Sequence, residues 1–235
     1  MNPAVEAISI PHAEVSLAAR LHRPLTSPIA SAVIAHGLFS SMQSQKLTRL
    51  AQALAKEGFL TLQFDHLGCG QSPGDINETS LTTRRDEFLS VAQYMAAAWP
   101  NLPLAFLGSS MGGSAAILAA DIKSPACLAV WSTPCDFDEL YISLRSRPDR
   151  PHLPALERDL GRHDMVSILA RTSRILLVHG EKDETVPVRQ AREGYRLAVE
   201  PKELLILEGA DHRLSRDEDQ AQAISHTLAW LKRFV

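Results

Sequence analysis

Short apolar runs alternate with amphipathic segments along almost the whole chain, and that rhythm restricts the possible folds more than any other feature. The runs occupy 32–35, 59–64, 104–107, 126–131 and 175–178, and 202–207 reads as a final strand that opens on Lys202 and Glu203. Their length and continuity are those of strands buried on both faces. Between them lie segments with helical spacing, such as 45–57, where Leu47, Leu50 and Leu54 share one face before Gly58 ends the helix. Strands alternating with helices predict an α/β fold with a mostly parallel, doubly covered sheet, whose crossovers gather the strand-following loops along one edge. Ahead of this rhythm, 5–23 is broken by Pro11 and predicts two short strands paired as an edge hairpin. Further helices are expected over 82–99, 188–198 and 217–234. The stretch 136–171 breaks the cadence, being polar, rich in Arg and Pro and only weakly helical. It predicts a small cap inserted between two strands, over the edge where the loops gather; a plain surface excursion is its alternative. With 235 residues and 45% hydrophobic content, the chain is expected to form one domain over 1–235 with this insertion.

One loop on that edge carries a reactive residue type in a special setting. Gly108-Ser109-Ser110-Met111-Gly112 is a G-x-S-x-G run between the apolar segment 104–107 and the helix-forming segment 115–121. A sharp strand-to-helix turn lifts a serine hydroxyl above the sheet, and the glycines relieve backbone crowding. Ser110 is therefore the candidate nucleophile.

A serine hydroxyl attacks poorly at neutral pH, so Ser110 requires an imidazole to take its proton and a carboxylate to orient that imidazole. His212 follows the final predicted strand directly, in Gly209-Ala210-Asp211-His212, and is the candidate base. Asp183, in the polar loop Gly180-Glu181-Lys182-Asp183-Glu184-Thr185-Val186-Pro187, is the preferred acid. Glu181 and Glu184 read as solvated neighbours, and Asp136 and Asp138 are an alternative position for the acid. Asp211 is placed to fix its own loop through a local hydrogen bond. The oxyanion requires fixed N–H donors. Met111 N–H follows the nucleophile at a helix start, and Leu38 N–H, with Phe39 next, is the candidate from the loop after the 32–35 run. His36 and His66 read as architectural, and the remaining histidines as surface or loop-packing groups.

The composition removes other classes. Twenty-four Lys plus Arg against 27 Asp plus Glu give a net charge of -3, so no basic excess draws the chain to nucleic acid or an anionic membrane. No segment reaches about 18 apolar residues in a row, and the N-terminus does not read as an export signal, so no stable membrane insertion is expected and a cytoplasmic location is. Cys69, Cys127 and Cys135 form no C-x-x-C pair, which argues against a disulfide scaffold or zinc site and suits a reducing compartment. The glycine-rich 65–72 loop lacks the spacing of either nucleotide-binding fingerprint. No cofactor and no metal are expected.

Taken together, His36-Gly37-Leu38-Phe39, Asp65-His66-Leu67-Gly68-Cys69-Gly70-Gln71-Ser72, Gly108 to Gly112, Gly180 to Pro187 and Gly209 to His212 resemble the α/β-hydrolase superfamily, in its order and over nearly the whole chain. Within it the chain looks like the small serine esterases and acyl-peptidase-like hydrolases with a short cap. The resemblance implies the α/β-hydrolase fold, a triad of Ser110, Asp183 and His212, and oxyanion positions at Leu38 and Met111. It implies a serine hydrolase that cleaves small or medium carboxylic esters or thioesters through an acyl-enzyme. An amidase or aminopeptidase-like hydrolase is the alternative enzyme, and a non-catalytic binding module the alternative of another class. Phe39, Cys135, Leu140 and Tyr141 are the candidate substrate-binding residues. The expected partner is a small acyl substrate, with monomer and homodimer both open.

Overall fold

The computed structural model describes residues 3–145 and 153–235; within these, the side chains of Tyr141, Ser143, Leu144 and Arg145 fall outside the description. An eight-stranded sheet forms the centre, in the order β1-β2-β4-β3-β5-β6-β7-β8. The hairpin β1 (Ala4–His12) and β2 (Val15–Arg23) sits at one edge, with β2 antiparallel to both neighbours. The other strands, β3 (Ala30–Ala35), β4 (Phe59–Phe64), β5 (Leu104–Ser109), β6 (Cys127–Trp131), β7 (Ile175–Gly180) and β8 (Lys202–Leu207), run parallel. Their carboxyl ends therefore share one edge, where ligands of open α/β sheets bind.

Alternation along the strands divides the core in two. On β3, Val33 and Ala35 pack toward α2 (Leu81–Ala98) and α3 (Met111–Ile122), whereas Ala32 and Ile34 pack toward α1 (Gln45–Lys56) and α8 (Asp217–Leu231). Every residue of β3, β4, β6 and β7 is buried, which explains why these strands read as largely apolar runs without strict alternation. Helix α7 (Val188–Leu197) covers the sheet beside β7 and β8. The predicted elements are present, and the excursion between β6 and β7 is more helical than its composition suggests. It contains α4 (Phe137–Arg145), α5 (Pro154–Leu160) and α6 (Met165–Leu169); residues 146–152 of the predicted cap lie outside the described residues. Local devices start these short helices: Pro154 stands in the first turn of α5, and the Asp164 carboxylate caps α6 by accepting Ser167 N–H at 3.0 Å. Asp159 pins α5 to the start of α2 by accepting Thr82 N–H and Oγ1–H, each at 2.8 Å.

Candidate active site

The loops after β5, β7 and β8, with the start of α3 and the loop after β3, build the site. Ser110 follows β5 directly and precedes α3, with φ +54° and ψ −129°. That left-handed backbone is unusual for serine and turns its side chain out of the sheet. The turn is held by Ser110 N–H donating to Trp131 O at 2.8 Å. Close backbone approach makes both flanking glycines necessary. A Cβ on Gly108 would collide with the Gly112 carbonyl, and one on Gly112 with the carbonyls of Ala35 and His36.

His212 lies in the loop after β8 and places Nε2 3.2 Å from Ser110 Oγ. On the far side of its ring, Nδ1 stands 2.8 Å and 3.0 Å from the two oxygens of Asp183, in the loop after β7. A carboxylate on Nδ1 fixes the tautomer with hydrogen there, leaving the Nε2 lone pair facing the serine hydroxyl. Asp183 Oδ1 also accepts the N–H groups of Thr185 and Val186 at 2.9 and 2.7 Å. Burial alone would raise its carboxyl, but the hydrogen bonds of His179 and His212, the His212 charge and the Val186 N–H hold it well below the usual carboxylate range.

The two expected oxyanion donors flank this row. Leu38 follows β3, Met111 begins α3, and among the described residues neither N–H has an acceptor. Two unused donors beside a nucleophile, one of them at a helix N-terminus, suit a developing negative charge.

Several residues brace the row, and one of them, His179, is a buried strand residue rather than the surface or loop-packing group expected. His179, the fifth residue of β7, is buried and directs Nε2 at Val186 O (2.8 Å) and Asp183 Oδ2 (3.2 Å), closing the acid loop from beneath. Period-two reading marks position 179 as buried, but nothing local shows that its ring meets a carboxylate four residues later. Glu181 and Glu184 are exposed as expected, yet their carboxylates accept Gly209 N–H at 3.0 Å and His212 N–H at 3.3 Å, tying the acid loop to the base loop. Asp211 holds Ser215 through N–H and Oγ–H bonds at 2.8 and 2.5 Å, the local role expected of it. Asp136 does not approach His212; it caps α4 by accepting Glu139 N–H at 3.0 Å.

The candidate substrate residues separate. Leu38 and Phe39 line a cavity of about 490 Å³ that includes Ser110 and His212, with Phe39 at φ +56° and 49% exposed. Cys135 instead lines a cavity of about 740 Å³ between the cap and α7, and Leu140 a small one of about 110 Å³ beside the acid loop. Neither is brought to the Ser110 cavity, because Gln190 of α7 fixes the chain there by accepting the N–H groups of Cys135 and Asp136 at 2.9 and 3.1 Å. The Tyr141 side chain lies outside the described residues. Burial pushes the thiols of Cys127 and Cys135 up to about 12, which suppresses thiolate chemistry at both.

Under the Leu38 loop lies a buried ionisable cluster. His36 Nδ1–H donates to Gly37 O at 2.8 Å while its Nε2 accepts His66 N–H at 3.1 Å, and His66 Nδ1 meets Glu87 at 2.5 Å. Burial pushes the Glu87 carboxyl up to about 7, against the opposing pull of the Arg84 guanidinium and the Leu67 N–H. An acid whose pKa is raised by folding stabilises the fold fully below its unfolded value and loses that contribution as pH rises toward the folded value. Between about pH 5 and about pH 8 the protein should lose on the order of 1–3 kcal/mol that Glu87→Gln does not lose. Urea unfolding of both proteins across this range checks it; parallel curves would exclude the effect.

The serine aminopeptidase S33 family model matches residues 26–144, half of the chain, from before β3 through the serine elbow to α4. The chain belongs to this family. It is a serine hydrolase of the α/β-hydrolase superfamily. Asp183 and His212 lie beyond the matched segment. Among curated relatives, the monoacylglycerol lipase of Mycolicibacterium smegmatis is 27% identical, with 88% of this chain and 90% of the relative covered. Among solved structures, the esterase domain of a Rhodothermus marinus protein superposes with a TM-score of 0.79 at 24% identity, covering 98% of this chain and 99% of that one. Est1E of Butyrivibrio proteoclasticus, solved with ferulic acid, gives 0.83 at 19% identity, covering 96% and 100%. These two likenesses concern the fold. Among the described residues, no helix is long and apolar enough to cross a membrane.

Proposed function

We propose that Ser110, His212 and Asp183 carry out two-step acyl transfer on a carboxylic ester, with Leu38 and Met111 N–H as the oxyanion donors. The observation that supports this most directly is the unbroken row from Ser110 Oγ through both ring nitrogens of His212 to Asp183. Ser110 Oγ bonds to the ester carbonyl carbon as its proton passes to His212 Nε2, and the carbonyl oxygen takes up the negative charge between the two N–H groups. Collapse breaks the bond to the leaving oxygen, which takes the proton from His212 and departs as the alcohol. Water then attacks the acyl-enzyme by the same proton path, releasing the acid and restoring Ser110. Asp183 keeps the ring oriented and stabilises the imidazolium without taking a proton, consistent with its depressed pKa.

A small or medium acyl group is supported by a cavity of about 490 Å³ beside the nucleophile. The family's aminopeptidase description keeps an amide-cleaving reading in view. The cytoplasmic setting rests on three buried cysteines, all free. A fluorophosphonate probe should label Ser110 stoichiometrically, read by intact mass and peptide mapping. A well-folded protein that stays unlabelled would remove the hydrolase reading. In parallel, a chain-length series of 4-nitrophenyl esters, thioesters and aminoacyl anilides should give highest kcat/KM on short or medium esters; highest kcat/KM on the anilides would establish the amidase instead.

A further inference from the structure

The cavity beside Ser110 has a one-sided charge pattern. Lys46, in the first turn of α1, and Arg213, next to His212, both line it, and no Asp or Glu does. The remaining polar lining is neutral, including Ser40, Ser44, Ser215 and Gln220. Helix α1 also starts here without compensation. Its N-cap Ser44 makes no side-chain cap bond, and its first turn carries no acidic residue, so the positive end of a 12-residue helix stands at the cavity wall. Arg213 is exposed and makes no ion pair among the described residues. Among the described residues, Lys46 Nζ reaches only the His212 carbonyl, at 3.5 Å. Burial pulls the Lys46 ammonium down to about 8, against the opposing charges of Asp183 and Asp211 and with that of Arg213, so it remains mostly protonated at neutral pH. Both carboxylates are otherwise engaged, Asp183 by His212 and His179 and Asp211 by Ser215.

We infer that this cavity receives an oxyanion, and that the substrate is an ester bearing a carboxylate or phosphate within a few bonds of the scissile carbonyl. The inference rests on the ester-hydrolase reading and specifies its substrate class. Two cations and an uncapped helix end attract such a group, and the neutral hydroxyls and amides can hydrogen-bond it without the repulsion a carboxylate would add. The nucleophile opens into the same cavity, so an anion seated there stays close to the reacting bond.

The test compares matched esters on the intact protein. On the acyl side, mono-4-nitrophenyl glutarate is set against 4-nitrophenyl valerate, with spontaneous hydrolysis subtracted. On the alcohol side, 3-acetoxybenzoate is set against its methyl ester. Phosphate is probed with 3-acetoxyphenyl phosphate, and inorganic phosphate and glutarate are assayed as competitive inhibitors. The expected result is a higher kcat/KM for the anionic member of at least one pair, shrinking as salt rises. That anionic-to-neutral ratio should fall about tenfold in Arg213→Gln and in Lys46→Gln, and recover in Arg213→Lys. A ratio at or below one in every pair, or a ratio unmoved by both Gln variants, overturns the inference while Ser110 labelling leaves the hydrolase reading standing. Absence of both turnover and labelling overturns the two together.

Discussion

Ser110→Ala should abolish fluorophosphonate labelling and lower kcat on a 4-nitrophenyl ester by about 10⁴-fold to 10⁶-fold, as expected when the nucleophile of a serine-histidine pair is removed. The loss should fall on kcat, because the oxyanion donors and the cavity that bind the ester are untouched. Stability should change little. Residue 110 keeps its backbone bond to Trp131 O, and alanine meets the same left-handed conformation that serine already occupies at φ +54°. The measurement is kcat and KM together with thermal unfolding. A variant that folds and retains more than about a hundredth of wild-type kcat would show that Ser110 is not the nucleophile.

Asp183→Asn should cost about 10⁴-fold in kcat, the magnitude seen when an orienting carboxylate becomes an amide. The amide can still accept Thr185 and Val186 N–H through its oxygen, which leaves its NH2 toward His212 Nδ1. An NH2 there favours the tautomer with hydrogen on Nε2, and that nitrogen then cannot take the Ser110 proton. Asp136→Asn is the matched comparison, because Asp136 is exposed and caps α4. It should leave kcat/KM within about twofold and stability within about 1 kcal/mol. A larger kcat/KM loss at 136 than at 183, with both proteins folded, would move the orienting acid to the loop after β6.

The sheet was legible in the sequence, as were the positions of Ser110, Asp183 and His212 on strand-end loops, because each is a local signal. Strand β4 coincides with the run 59–64, since all six positions are buried and Phe59 and Phe64 mark its two ends. Ser110 is marked by the glycines that its tight turn requires. Helix α2 starts one residue before the expected 82 because Ser80 and Thr83 form a reciprocal capping box that ends the strand-like approach. What stayed hidden depends on pairing across distance. His179 meets Asp183 only after the loop folds back, and Glu181 and Glu184 meet the base loop only once β7 and β8 align in parallel register. Cys135 has the same origin, its place being set by Gln190, 55 residues later. The charge of the Ser110 cavity joins Lys46 to Arg213 across most of the chain, so no window of sequence contains it.

Strand β6 lies between β5 and β7 and gives no side chain to the Ser110, His212 and Asp183 row. It serves instead as an anvil for the elbow, through the Trp131 carbonyl, and Thr133 fills the space against Gly113. Beyond Gln190's grip on Cys135 and Asp136, the chain is released from that duty until β7 begins. The described part of the stretch between is thus tied to the body of the domain and not to the nucleophile: Asp159 holds the start of α2, Arg174 O accepts Leu128 N–H of β6 at 2.8 Å, and none of its residues lines the Ser110 cavity.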